Sequence, residues 1–119
     1  MVFGIGVDIT DIARIKAARQ KNPGFVQRVL TANEQVIFNT LSTKRQAEFL
    51  AGRFSAKESF GKALGSGIGK TSFQDIEILD NAIGKPEITL NPFDGNAFVS
   101  ISHTDTLVMT EVVLEKRLE

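Results

Sequence analysis

Residues 42–65 read STKRQAEFLAGRFSAKESFGKALG, and the period of this stretch decides the fold class. Ala47, Leu50, Ala51 and Phe54 recur at three-and-four spacing, the mark of a buried stripe on a helix over about 44–64. Ser42 or Thr43 caps its start, and Gly65 is its natural C-terminal stop. Glu58 lies one turn further along the stripe and Lys62 one turn beyond that. After the GSGIGK stretch the period changes to two, which predicts strands over 73–79, 87–90, 97–102 and 107–114. Turn residues separate them at 81–86 and 91–96. At the front, 2–10 alternates as a strand: Phe3, Ile5, Val7 and Ile9 on one face, Gly4, Gly6, Asp8 and Thr10 on the other. A helix follows from Ile12, capped by Thr10 or Asp11. A short second helix spans 23–30 with Pro23 in its first turn. Thr31 and Glu34, at capping-box spacing, open a third that ends near Leu41. Early helices, late strands and one strand at the front give an α+β fold, with the long helix packed on a largely antiparallel sheet.

The chain has 119 residues, a length that suits one domain over 1–119, since domains commonly run to about 100–150 residues. It has no Cys, which excludes a disulfide scaffold, a thiolate metal site and a cysteine nucleophile, and its single His103 excludes a multi-histidine site. No apolar run approaches the roughly 18 residues of a membrane span, and no basic segment precedes MVFGIGV as in a signal peptide. The expectation is a soluble, cytoplasmic protein. Fourteen Lys/Arg balance fourteen Asp/Glu, but unevenly: residues 1–62 carry +5 and residues 63–119 carry −5. Arg14, Lys16, Arg19, Lys21 and Arg28 fall in a stretch without any acid between Asp11 and Glu34. Such a stretch is either a face for an anionic partner or a solvated helix surface, and charge alone leaves both open.

Asp8 and Glu58 carry more information. A carboxylate within an apolar strand and another on the buried line of a helix are costly unless compensated. Hard oxygen ligands of this kind suit Mg²⁺, which takes one or two protein carboxylates beside waters and phosphate oxygens. The plain alternatives are a Glu58–Lys62 helical ion pair and Asp8 as a helix cap. Arg53, Lys57 and Lys62 place positive charge on the same helix, suited to a phosphate ester or to an exposed ion-pair surface. Gly65-Ser-Gly-Ile-Gly-Lys-Thr71 is not a P-loop, because it has one residue too few and follows a helix instead of a strand. It leaves a glycine-rich turn carrying Lys70. Ser, His and Asp all occur, yet no spacing specifies a hydrolytic triad.

GIGVDI (4–9), DIAR (11–14), RFSAKESFGKALG (53–65), GKP (84–86) and SISHT (100–104) occur in this order and at these separations in one short chain. Together they resemble the holo-acyl-carrier-protein synthase family, the small bacterial 4′-phosphopantetheinyl transferases. That resemblance implies transfer of the 4′-phosphopantetheine arm of coenzyme A to a serine of apo-acyl carrier protein, with release of adenosine 3′,5′-bisphosphate, in fatty acid biosynthesis. It implies Mg²⁺ held by Asp8 and Glu58, and a homotrimer with a site at each subunit interface. Lys62 then neutralises or protonates the leaving phosphate, while Arg53, Lys85 and His103 bind coenzyme A phosphates and the Gly65–Gly67 turn gives close backbone access. The base is Glu58 or a metal-bound water. Arg14, Arg19, Lys21 and Arg28 form the docking face for the acidic carrier protein, Arg14 lying within a matching motif. The competing class is a non-catalytic module that binds an acidic protein through its basic first helix. A nucleic-acid binder is disfavoured by zero net charge and the absence of Tyr and Trp.

Overall fold

A computed structural model describes residues 1–68 and 71–118. The elements run β1 (Val2–Asp11), α1 (Ile12–Lys21), α2 (Phe25–Val29), α3 (Ala32–Phe38), α4 (Thr43–Leu64), a 3₁₀ turn (Phe73–Asp75), β2 (Glu77–Asp80), β3 (Pro86–Leu90), β4 (Gly95–His103) and β5 (Leu107–Lys116). One sheet has the order β1-β5-β4 and a second is the β2-β3 hairpin; every pairing is antiparallel. This is the expected α+β arrangement.

Ser42 caps α4, its hydroxyl accepting from the Arg45 N–H, and Gly65 ends the helix in the left-handed region at φ +92°. The Thr31–Glu34 capping box opens α3 as its spacing requires. Boundaries differ from expectation, β4 and β5 running two residues longer at one end and three others shifting for local reasons. Pro23 lies in a turn, and α2 starts only at Phe25. The third helix stops at Phe38, where Thr40 and Leu41 switch to the shorter bonds Thr40 N–H to Ile37 O and Leu41 N–H to Phe38 O. Residues 73–75 form no strand, because Ser72 and Asp75 cap each other's backbone and wind them into the 3₁₀ turn.

The face of β1 that another element approaches closely is the one bearing Gly4, Gly6 and Asp8, as its small residues allow. A half-buried antiparallel strand ordinarily turns its apolar face to the core. Here Phe3, Ile5, Val7 and Ile9 are exposed, and the small-residue face lies on α4. Contact is backbone to backbone: a Cβ on Gly4 would meet Ala63 O at 1.9 Å, and one on Gly6 would meet Ser59 O at 1.9 Å. From Leu50 to Ala63, α4 is buried at most positions, feeding Leu50 and Ala51 into one apolar cluster and Ala56, Phe60 and Ala63 into another.

Lys57 is fully buried, so it serves neither use its place on the helix left open, a phosphate ester or an exposed ion-pair surface. Its ammonium donates to Val29 O at 2.7 Å, Phe73 O at 3.1 Å and Glu34 Oε1 at 2.7 Å, and Glu34 is equally buried. Glu34 also accepts the backbone N–H groups of Thr31 and Ile78, so it ties α3 to β2. Burial pushes the Lys57 ammonium toward deprotonation, and the Glu34 charge opposes that. Removing one partner of such a pair strands the other charge in the core, at a cost of about 3–5 kcal/mol. No described helix is long and apolar enough to cross a membrane.

Candidate active site

The close approach of β1 to α4 brings Asp8 against a polar stripe of the helix. Ser55, Glu58, Ser59 and Lys62 follow i, i+3, i+4, i+7 spacing and so share one face. Asp8 Oδ2 accepts from Thr10 Oγ1 at 2.6 Å and from Ser55 Oγ at 2.8 Å. Its Oδ1 faces the Lys62 ammonium at 3.2 Å, and that ammonium also donates to Val7 O at 3.0 Å. The pair is lopsided: the Lys62 side chain is 53% exposed and that of Asp8 only 14%, so the lysine is the partner free to withdraw.

Glu58, one turn before Lys62, is partly buried. Burial raises its carboxyl above the ordinary value, the nearby Asp8 charge adds to the rise, and Lys62 and Arg14 oppose it. Neither plain alternative holds. Lys62 pairs with Asp8 instead of Glu58, and the cap position of α1 belongs to Asp11. Two repelling, partly buried carboxylates, with an exposed ammonium drawn to one of them, make a place where added positive charge is favourable.

A second hollow, of about 260 Å³, is lined by Arg45, Glu48, Arg53, Asp80 and His103 over Phe49 and Ile101. Arg53 is held in place: its guanidinium donates to Ile78 O at 3.2 Å and to Asp80 Oδ1 at 3.3 Å, and lies 4.2 Å from the Phe49 ring centre. His103 Nδ1 lies 3.2 Å from Thr104 O and 3.9 Å from Glu48 Oε2. Three cationic or protonatable side chains at one hollow suit an anionic group such as a phosphate.

A family model described as the 4′-phosphopantetheinyl transferase superfamily matches residues 4–114. The chain belongs to this superfamily. It is 58% identical to the holo-[acyl-carrier-protein] synthase of Lacticaseibacillus casei, over 98% of this chain and 94% of the relative. With the synthase of Levilactobacillus brevis the identity is 54%, over 98% and 96% of the two chains. Among solved structures, a holo-(acyl-carrier-protein) synthase from Bacillus anthracis in complex with CoA (3′,5′-ADP) superimposes with a TM-score of 0.92. It is 42% identical, and the match covers 98% of this chain and 99% of that one.

In this transferase chain the expected site residues fall into three groups. Asp8, Glu58 and Lys62 are together; Arg53 and His103 share the second hollow; Lys85 stands apart, beside Pro86 and Phe98 in a hollow of about 310 Å³. Gly65 ends α4 with open space where a side chain would begin; Gly69 and Lys70 lie outside the described residues. The basic residues divide as well. Arg14 lies over Phe54 and Arg28 over Phe25, two rings 6.1 Å apart, so both flank one aromatic ridge. Lys21, seven residues after Arg14, shares its side of α1. Arg19 is turned about 140° away and lies 4.9 Å from the Phe38 ring centre, reaching Gln46. The sequence reading missed Thr10, Ser55, Ser59 and Thr110 around Asp8, and Arg45, Glu48 and Asp80 around Arg53. The helical spacing of Ser55, Glu58, Ser59 and Lys62 was a readable signal. Thr110, 55 residues from Ser55, carried none.

A carboxyl whose folded pKa is raised binds its proton more tightly folded than unfolded, so stability falls as pH rises from the ordinary carboxylate range through the raised value. Glu58→Gln removes that loss. In metal-free buffer, thermal unfolding should show Glu58→Gln melting above the wild type at neutral pH. The gap should close as pH falls toward the ordinary carboxylate range; a gap independent of pH would refute the strained carboxylate.

Proposed function

We propose that this chain, acting as one domain over 1–119, is a magnesium-dependent holo-acyl-carrier-protein synthase that moves 4′-phosphopantetheine from coenzyme A to a serine of apo-acyl carrier protein. The reading places it in the cytoplasm, in fatty acid biosynthesis. The observation that carries it is the meeting of Asp8, Glu58 and Lys62 where β1 seats on α4, in a chain so similar to proteins of that name. Magnesium fits the residues present. Among the described residues no cluster of three or more His, Cys, Asp or Glu exists, and Mg²⁺ needs only one or two protein carboxylates. The Lys62 ammonium already occupies a cation position at Asp8 Oδ1. Asp8 and Glu58 would hold the ion, which when bound supplies positive charge to the pyrophosphate oxygens.

In the reaction the serine oxygen forms a bond to the pantetheine-linked phosphorus. The bond from that phosphorus to the bridging oxygen breaks, and adenosine 3′,5′-bisphosphate leaves with the electron pair. Glu58 is the carboxylate assigned to take the serine proton. Lys62 turns from Asp8 to the leaving phosphate and neutralises its growing charge. Arg53 and His103 bind phosphates of coenzyme A, and the Gly65–Gly67 turn lets backbone approach them. Arg14, Lys21 and Arg28 steer the acidic carrier protein, with Arg19 contributing from another side of the same helix. Arg14 also acts on Glu58, which joins the docking face to the site.

The sheet's outer face supports a homotrimer. Ile5, Val113 and Phe98 stand in one cross-strand row and Ile9 with Met109 in another; Ile5, Ile9, Phe98 and Met109 are all 52% exposed or more. Copies of the same chain cover this apolar face. Lys85 borders Phe98 at its edge, so it serves the site of a neighbouring copy.

Three measurements test the reading. Incubation with coenzyme A, Mg²⁺ and apo-acyl carrier protein should add a phosphopantetheine mass to the carrier, and Asp8→Ala or Glu58→Ala should lose most of that transfer. A folded wild type that adds none would favour the non-catalytic binding module. Arg14→Glu should raise KM for the carrier protein far more than KM for coenzyme A; equal changes would exclude a docking role. In sedimentation, the wild type should run as a trimer and Ile5→Glu as a smaller species. A monomeric wild type, or an unaltered variant, would remove the trimer.

A further inference from the structure

Asp8 is approached from its buried side by hydroxyls alone. Thr110 stands directly opposite Asp8 in the β1–β5 register, and Ser55 and Ser59 reach it from successive turns of α4. Ser55 and Ser59 have no exposed surface, Thr110 is 1% exposed and Thr10 2%. Their contacts are short: Ser59 Oγ to Thr110 Oγ1 2.6 Å, Thr110 Oγ1 to Ser55 Oγ 2.9 Å, Ser55 Oγ to Asp8 Oδ2 2.8 Å.

Proton counting gives this chain a direction. An ionised carboxylate only accepts, and each hydroxyl has one proton to donate. Ser55 donates its proton to Asp8 Oδ2, so at its contact with Thr110 it must accept. Thr110 thereby spends its own proton and must accept from Ser59. Ser59 has an alternative acceptor in Thr110 O, but at 3.3 Å it is much longer. All three O–H dipoles therefore point toward Asp8, and each polarises the next. Thr10 adds a second donor to the same Oδ2. That oxygen is committed on the buried side, while Oδ1 meets, among the described residues, the exposed, movable Lys62 ammonium.

We infer that Ser59, Thr110 and Ser55 form a one-way donor chain that positions Asp8, holding Oδ2 inward so that Oδ1 is the oxygen offered to a divalent cation. The three are positioning residues: none touches substrate, and they act through Asp8. The inference rests on the reading of Asp8 and Glu58 as the metal pair. It also assigns a purpose to the glycines of β1, since any Cβ at Gly6 would push away the Ser59 turn that starts the chain.

The test is binding of Mn²⁺ alone to substrate-free protein, followed by the electron paramagnetic resonance of the free ion, with thermal unfolding measured on the same samples. Ser55→Ala should weaken Mn²⁺ binding roughly 10–100-fold, as is usual when a hydrogen-bond partner of a metal ligand is lost. Thr110→Val, of the same shape but one hydroxyl further away, should weaken it about fivefold, and Thr110→Ser should restore the wild-type affinity. Ser59→Ala should give a smaller loss in the same direction, and it carries the test if Thr110→Val does not fold. Variants that melt lower but bind Mn²⁺ as tightly as the wild type would overturn the donor chain and leave these hydroxyls a purely structural role. A folded wild type that binds no Mn²⁺ would instead overturn the metal pair on which the inference stands.

Discussion

The contact on which the rest of the structure depends is the backbone-to-backbone seating of β1 on α4. A strand usually stands off from a helix by the length of its side chains. Gly4 and Gly6 remove them, so the strand comes within reach of the Ser59 and Ala63 carbonyls. Asp8, next on the same face, is thereby set beside Ser55, Glu58 and Lys62. The same seating forces Phe3, Ile5, Val7 and Ile9 to the other side of the sheet. One steric fact thus produces both a polar, charge-strained cluster and an apolar face in need of a cover.

A second constraint keeps α4 in place from behind. Lys57 and Glu34 are sealed in the core with every donor and acceptor used, joining α4 to α3, to the end of α2 and to β2. Such a pair adds little net stability, because desolvation offsets most of the attraction, but it penalises any arrangement that separates its members. Residues 57 and 58 are adjacent in sequence and opposite in fate. One is fixed inside an apolar interior, and the other is half-buried beside Asp8 with its proton affinity raised.

Much of this was legible in the chain. The capping pairs Ser42–Arg45 and Thr31–Glu34, the Gly65 stop and the switch of period after α4 are local features, and local backbone chemistry decides them. Asp8, Glu58 and Lys62 stood out because carboxylates in apolar settings need a reason. What could not be read was where each cation finds its partner. Arg53, Lys57 and Lys62 look equivalent along a helix, yet one is clamped to Asp80, one is buried against Glu34 and one is left movable. Their partners lie 23 to 54 residues away.

The sequence by itself determined most of the helices and strands and the α+β class, and it marked Asp8 and Glu58 as carboxylates in need of a reason, because periodicity, caps and residue chemistry act over a few residues. Only the tertiary structure decided that the apolar face of β1 is left exposed, which lysine is exposed and movable, and that Thr110 stands behind Asp8. Those outcomes depend on how closely two backbones approach and on pairings between distant segments. No local pattern encodes either.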